Sequence, residues 1–350
     1  MSSFLPSLQS LAKGAAATAA GLSTVGFSLL YYGQNYLIYP SAFPPGSRTE
    51  VPTPDQFGLS YEKLELVAQD GVKLHCYLLQ QTKDLPQPET VAVLGAEGMD
   101  DNEFAASRPT VIMFHGNGGN LGHRIPLARI FYLKMRCNVL MMCYRGYGLS
   151  EGSPCEKGIK MDSQAGLDYV TSHPALSTTP VILYGQSIGG AVSIDLASRN
   201  PLAVRALILE NTFLSLPRLV PTALPVLGPF AFLCHQKWDS AAKLPLVPRR
   251  VPLLMLSGVL DEVVPREHML GLWELVRRRE GADEASPTKG EPAGACPAPE
   301  GSLSRYVEFG NGTHNDTCVQ PGYWASIAEF IQAIEQEDAR KAGEGQAPHL

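Results

Sequence analysis

Short, unbroken apolar runs recur along the chain. "TVIMFHG" (110–116), "CNVLMMCYRGYG" (137–148), "PVILYG" (180–185), "VRALILEN" (204–211) and "VPLLMLSG" (251–258) lack the polar alternation of a half-exposed strand. Runs of that kind read as strands buried on both faces, as in a parallel sheet. Between and after them lie amphipathic stretches: "LGHRIPLARIFYLKM", interrupted near Pro126, "EKGIKMDSQAGLDYVTS", "SIGGAVSIDLASRN", "REHMLGLWELVRRR" and a closing "YWASIAEFIQAIEQ". In the second, Ile159, Ala165, Leu167 and Val170 recur at helical spacing and point to the core. Upstream, "YEKLELVA" and "VKLHCYLLQ" alternate about Asp70-Gly71, a hairpin turn. "SRYVEFGNGTH" is a last strand running into a loop. The order predicts an α/β fold: a mostly parallel, doubly wound sheet begun by an antiparallel hairpin.

Four segments break this rhythm. Residues 81–108 and 280–302 read as long loops, the second of low complexity in Gly, Pro, Ala and Glu. Residues 212–248 are apolar but broken by Pro217, Pro221, Pro225 and Pro229, and read as a lid insertion. Residues 341–350 read as a disordered tail behind a domain body of 41–340. Residues 1–40 form the fourth. No charged side chain occurs from Gly14 to Ser47, which exceeds the roughly 20 residues a bilayer crossing needs. Tyr31, Tyr32, Tyr36 and Tyr39 gather at its end like an aromatic belt. The expectation is a single-pass N-terminal membrane anchor; the bulky tyrosines leave no small-residue site at which a signal peptide would be cut.

Composition narrows the function classes. The net charge is −6 with no basic block, which argues against a nucleic-acid partner. The seven cysteines include no C-x-x-C pair, so neither a disulfide framework nor a metal site is expected, and no cofactor motif appears. Cys137 and Cys143 fall in an apolar run and read as core.

The chemistry rests on a choice between two serines. Gly185-Gln186-Ser187-Ile188-Gly189 and Gly148-Leu149-Ser150-Glu151-Gly152 both fit G-x-S-x-G. A nucleophile elbow needs a buried strand before the serine and a helix directly after it. "PVILYG" and "GGAVSIDLAS" supply both around Ser187, whereas Gly152 and Pro154 follow Ser150 and the next helix begins only near Glu156. Ser187 is therefore the candidate nucleophile. A serine hydroxyl needs a base, and the base a carboxylate, in the chain order Ser, Asp or Glu, His. Asp261 follows the strand "LLMLSG" and His314 follows the last strand, each in the required slot. Glu210, at the end of "VRALILE", is a rival acid. Glu262 and Asp316 read as neighbours, Asp316 as a cap or loop-ordering group; His115 comes too early to be the base and reads as a support of the oxyanion loop. His123, His235 and His268 read as surface or lid residues. An oxyanion hole takes two backbone N–H groups: Ile188, after the nucleophile, and Asn117 in "HGNGGN", with Gly118 as second choice.

Taken together, "FHGNGGNLGHRIPLA", "YRGYGLSEG", "YGQSIGGAV", "ENTFLS", "SGVLDEVVP" and "GTHNDT" resemble the motifs of membrane-anchored α/β-hydrolase-domain proteins. The branch is that of the fungal bud-emergence homologue and its animal counterparts, and the resemblance runs from about residue 25 to 336. It implies an α/β-hydrolase fold, the triad Ser187, Asp261 and His314, and a single membrane segment, with the endoplasmic reticulum the expected membrane. Relatives include thioesterases that remove palmitate from protein cysteines. The expected activity is hydrolysis of acyl esters or thioesters, lipid-modified proteins being one substrate class. A lipase, a peptidase or a non-catalytic scaffold on the same fold are the alternatives.

Overall fold

The computed structural model describes residues 8–85, 90–91, 96–281 and 301–345. Most of the 280–302 loop therefore lies outside the described residues, as do 346–350 of the expected tail. A long first helix, α1 (Leu8–Ile38), precedes the hairpin β1 (Glu62–Val67) and β2 (Lys73–Leu79). A short α2 (Asp101–Ala106) follows, then β3 (Thr110–Phe114), α3 (Ile125–Leu133), β4 (Asn138–Met142), α4 (Glu156–Ser172), β5 (Val181–Gln186), α5 (Ile188–Arg199) and β6 (Ala206–Glu210). After α6 (Leu216–Ala223) and the tiny α7 (Ser240–Lys243), the chain closes with β7 (Leu253–Gly258), α8 (Arg266–Glu280), β8 (Arg305–Phe309) and α9 (Tyr323–Gly345).

Among the described residues eight strands form one sheet in the order β1-β2-β4-β3-β5-β6-β7-β8. β1 and β2 pair antiparallel, as do β2 and β4, and every later pair is parallel. The five unbroken apolar runs are the five central strands β3 to β7, and every residue in them is buried. The alternating β1 is an edge strand, exposed at every other position over its second half. Cys137 and Cys143 are core residues, and burial pushes both thiols up to about 12.

Three expectations change in detail. The segment 81–108 is not loop throughout: α2 is nucleated by a reciprocal cap, with Asp100 accepting from the Glu103 N–H and Glu103 accepting from the Asp100 N–H. The closing helix continues to Gly345, five residues into the expected tail, because Arg340 and Lys341 pair with Glu337 and Arg340 with Glu344 along one face. The boundary drawn at residue 40 cuts through packed structure. α1 is exposed from Gln9 to Leu29, but its last two turns dock on the domain. Gln34 accepts from the His235 N–H (2.9 Å), and the buried Tyr39 hydroxyl joins Gln236 (3.0 Å) to the Trp238 indole N–H (2.9 Å).

Candidate active site

The turn between β5 and α5 puts Ser187 at φ 54°, ψ −120°, a conformation that a residue with a side chain rarely adopts. The flanking glycines are steric requirements. A Cβ on Gly185 would lie 2.3 Å from the Gly189 carbonyl oxygen, and one on Gly189 would lie 2.0 Å from that of Phe114. The neighbouring strand clamps the elbow from both sides. The Ser187 N–H donates to the Glu210 carbonyl (2.8 Å), and the Thr212 hydroxyl donates to the Ser187 carbonyl (2.7 Å).

Asp261 sits beyond the end of β7 and His314 beyond the end of β8, and their side chains meet. His314 Nδ1 lies 2.8 Å from Asp261 Oδ2 and 3.0 Å from Oδ1. The Asp261 side chain is only 1% exposed, and its Oδ1 also accepts the Val263 and Val264 N–H groups at 2.9 and 2.7 Å. A carboxyl group so placed favours the tautomer with its proton on Nδ1, which leaves Nε2 as the acceptor. Glu262 accepts the His314 backbone N–H (3.2 Å), and Asp316 accepts that of Thr313 (2.6 Å), so both order the histidine loop.

Ser187, Ile188, Asn117, Gly118 and His314 all line one cavity of about 440 Å³, within the usual range for a small-ligand site. Much of its remaining wall is apolar and comes from α6 and from the end of α1. The loop bearing Asn117 is tied down. The Asn117 side chain accepts from the Tyr147 hydroxyl (2.6 Å) and donates to the Ile38 carbonyl, and the Gly119 N–H donates to the Phe43 carbonyl (2.8 Å). His115 supports that loop from below, its Nδ1 2.7 Å from the Gly116 carbonyl, and burial pushes its imidazole down to about 4.

The remaining candidates are engaged elsewhere than with Ser187, Asp261 and His314. Ser150 is 1% exposed; its hydroxyl donates to the Cys143 carbonyl (2.9 Å) and accepts the His75 N–H (2.9 Å), which pins a loop. Glu210 is fully buried and spends its carboxylate on the Tyr184 and Tyr323 hydroxyls (2.6 Å each) and the Gln186 amide (3.2 Å). Burial raises its pKa. His123 and His235 are exposed. His268, read as a surface or lid residue, is instead buried and accepts the Leu214 N–H (3.2 Å), because α8 packs beneath the insertion. Among the described residues no group of three His, Cys, Asp or Glu side chains is placed to hold a metal ion.

Sequence reasoning missed Asn211. Its backbone is left-handed (φ 46°), and its amide donates to the carbonyls of Thr313 (3.2 Å) and His314 (3.3 Å), while its Oδ1 accepts the Gly258 N–H (2.8 Å). One side chain thus ties the strand end before Asp261 to the loop of His314. The available signal was a polar Glu-Asn-Thr run capping an apolar strand.

Residues 109–231 match the family model described as the alpha/beta hydrolase fold. An esterase from Pyrococcus furiosus aligns with a TM-score of 0.59 over 82% of this chain and 96% of its own, at 17% identity, which speaks to the fold alone. An alpha-beta hydrolase from Vibrio vulnificus does so with the same score over 86% and 93%, at 18% identity. Protein bem46 of Schizosaccharomyces pombe is 40% identical over 91% of this chain and 91% of its own. The uncharacterized membrane protein YNL320W of Saccharomyces cerevisiae is 36% identical over 89% and 93%. The Arabidopsis thaliana α/β-hydrolase domain-containing protein WAV2 is 31% identical over 92% and 94%. Similarity of this extent, carried on an eight-stranded hydrolase sheet, places the chain in the bem46 family of α/β-hydrolase-domain proteins.

Proposed function

We propose that the protein is a membrane-anchored serine hydrolase of acyl esters or thioesters, with Ser187, His314 and Asp261 as its triad. The observation that carries this reading is the strained Ser187 elbow sharing one cavity with a histidine already held by a buried carboxylate. In the proposed cycle, His314 Nε2 takes the Ser187 proton as the oxygen attacks the acyl carbonyl. Asp261 holds the imidazole in the required tautomer and faces the imidazolium that forms. The N–H groups of Ile188 and Asn117 face the oxyanion, and His314 returns the proton to the leaving alcohol or thiol. Water, activated by the same histidine, then releases the acid.

Membrane association rests on α1, whose stretch Gln9–Ile38 is long enough, and over part of its length apolar enough, to span a bilayer. A relative whose name says membrane protein agrees with it. The endoplasmic reticulum is the proposed membrane, on the family resemblance. The apolar cavity wall favours a long acyl group, and a palmitoyl thioester on a protein is one substrate of that kind.

The test is labelling by a fluorophosphonate probe, followed by turnover of acyl esters and thioesters of graded chain length. Ser187→Ala should abolish labelling and turnover. Ser150→Ala should label normally in whatever fraction folds, at a stability cost of about 1–3 kcal/mol for the unpaired groups it leaves. Label on Ser150, or a wild type that takes no label and turns nothing over, would defeat the proposal.

A further inference from the structure

The segment from Leu219 to Cys234, inside the β6–β7 insertion, carries no charged residue, and between its buried ends, Leu219 and Cys234, it exposes several apolar side chains. Val226 is 87% exposed and Phe232 71%, in a 3-10 stretch, Pro225–Leu233, that buries none of its residues. Such a surface is costly in water. The stretch lies against α1. The Phe230 ring meets Phe27 edge-on (5.8 Å), and the Gln34 amide donates to the Leu233 carbonyl (3.3 Å). Phe27 precedes the tyrosines at 31, 32 and 36, so Phe230 stands on the apolar side of that belt. Exposed Arg218 and Lys237 flank the uncharged segment, as cations flank a stretch seated in a headgroup layer.

A narrow apolar cleft of about 60 Å³ runs between α1 and this stretch, lined by Leu30, Phe230 and Leu233 among others. It shares Leu37, Ile38, Val220 and Leu224 with the cavity that holds Ser187. The same four side chains thus stand between this cleft and the cavity of the candidate nucleophile.

We propose that the 219–234 stretch is a second membrane contact, sunk in the same leaflet as the end of α1. The seam between the two admits the acyl chain of a bilayer-resident ester or thioester sideways to Ser187. The occupant is a lipid acyl chain because the seam continues the surface of a membrane-length helix and offers an alkyl chain no competing charge. The proposal rests on the hydrolase reading for its catalytic half; the membrane contact stands without it.

Full-length protein in phosphatidylcholine vesicles tests both halves. Phe232→Trp in vesicles of acyl-brominated lipid should lose fluorescence beyond the background of the native tryptophans. No added quenching would overturn the contact, whether or not the enzyme is active. The double variant Val226→Glu/Phe232→Glu should label with a small soluble fluorophosphonate as wild type does. It should hydrolyse a palmitoyl ester dissolved in the bilayer at least about tenfold more slowly, since each buried charge costs more than the equivalent free energy. Its turnover of a water-soluble butyryl ester should stay unchanged. Equal loss on both esters, or no loss on the palmitoyl ester, would overturn the sideways route. A wild type that never labels at Ser187 would sink the hydrolase reading and with it the route, leaving the quenching result to decide the contact.

Discussion

At the scale of single residues, the contest is between two carboxylates. Asp261 contacts His314 Nδ1 directly, while Glu210 gives its oxygens to two tyrosines and a glutamine. Asp261→Asn keeps the shape but offers an amide to Nδ1 and favours the wrong tautomer. Turnover should fall by about 10⁴ while the protein stays folded. Glu210→Gln should cost stability through its buried network and leave turnover per folded molecule within a few-fold. The reverse pattern, by steady-state kinetics with circular dichroism as the folding control, would move the acid to Glu210. Ser187, Asp261 and His314 were legible as candidates because each occupies a slot that chain order alone defines: after a buried strand, before or beyond a helix. Asn211 was not, because its role consists of bonds to carbonyls more than a hundred residues away, which no local pattern announces. The buried His268 was illegible for the same reason: its partner is a backbone N–H supplied by another element.

At the scale of elements, the strands were read with their succession along the chain, though not their order in the sheet, since a continuous apolar run between amphipathic stretches has few alternatives. Boundaries of helices in polar segments were harder. α2 and the end of α9 depend on capping and on i,i+4 ion pairs rather than on an apolar stripe. The charge-free N-terminal segment was read as one anchor, yet α1 has two parts with different environments. The outer part touches little, and the last two turns form cavity wall, carry Gln34 and lead directly into Tyr39. Two truncations should therefore differ. Deleting residues 1–28 should leave Ser187 labelling intact. Deleting 1–40 removes Tyr39 and leaves the Trp238 N–H, only 1% exposed, without its partner; it should lower stability by about 3–5 kcal/mol, as large core deletions do. Thermal melts in matched detergent compare the two. Indistinguishable melts would mean that the α1–insertion packing contributes nothing to the domain.

At the scale of the whole molecule, the sheet unfolds as one body, so buried titratable groups write themselves into its pH dependence. His75 on β2 is 6% exposed, stands edge-on to Tyr77 (ring centroids 4.8 Å), and among the described residues neither of its ring nitrogens has a hydrogen-bond partner. Burial pushes its imidazole down to about 4, as it does for His115. Unfolding returns a histidine to about 6.5, so between those values the unfolded chain holds more protons and stability falls as the pH falls. Glu210 and Asp162, a buried residue of α4 paired with Arg145, work in the opposite direction. Burial raises both carboxyls, so the folded form takes up protons first and gains stability as the pH drops through their folded values. The net curve of the wild type mixes these signs, but a single substitution separates them. His75→Phe keeps an aromatic ring against Tyr77 and removes two unpaired nitrogens together with the titration. It should be more stable than wild type at pH 7, by about 1–3 kcal/mol for the polar atoms no longer buried unpaired. The gap should widen by roughly 2 kcal/mol at pH 5, where the wild type must keep His75 neutral against a charged unfolded state. Denaturant midpoints of both proteins at the two pH values measure it. A gap that stays constant would show that His75 is already protonated, or already reached by water, in the folded protein.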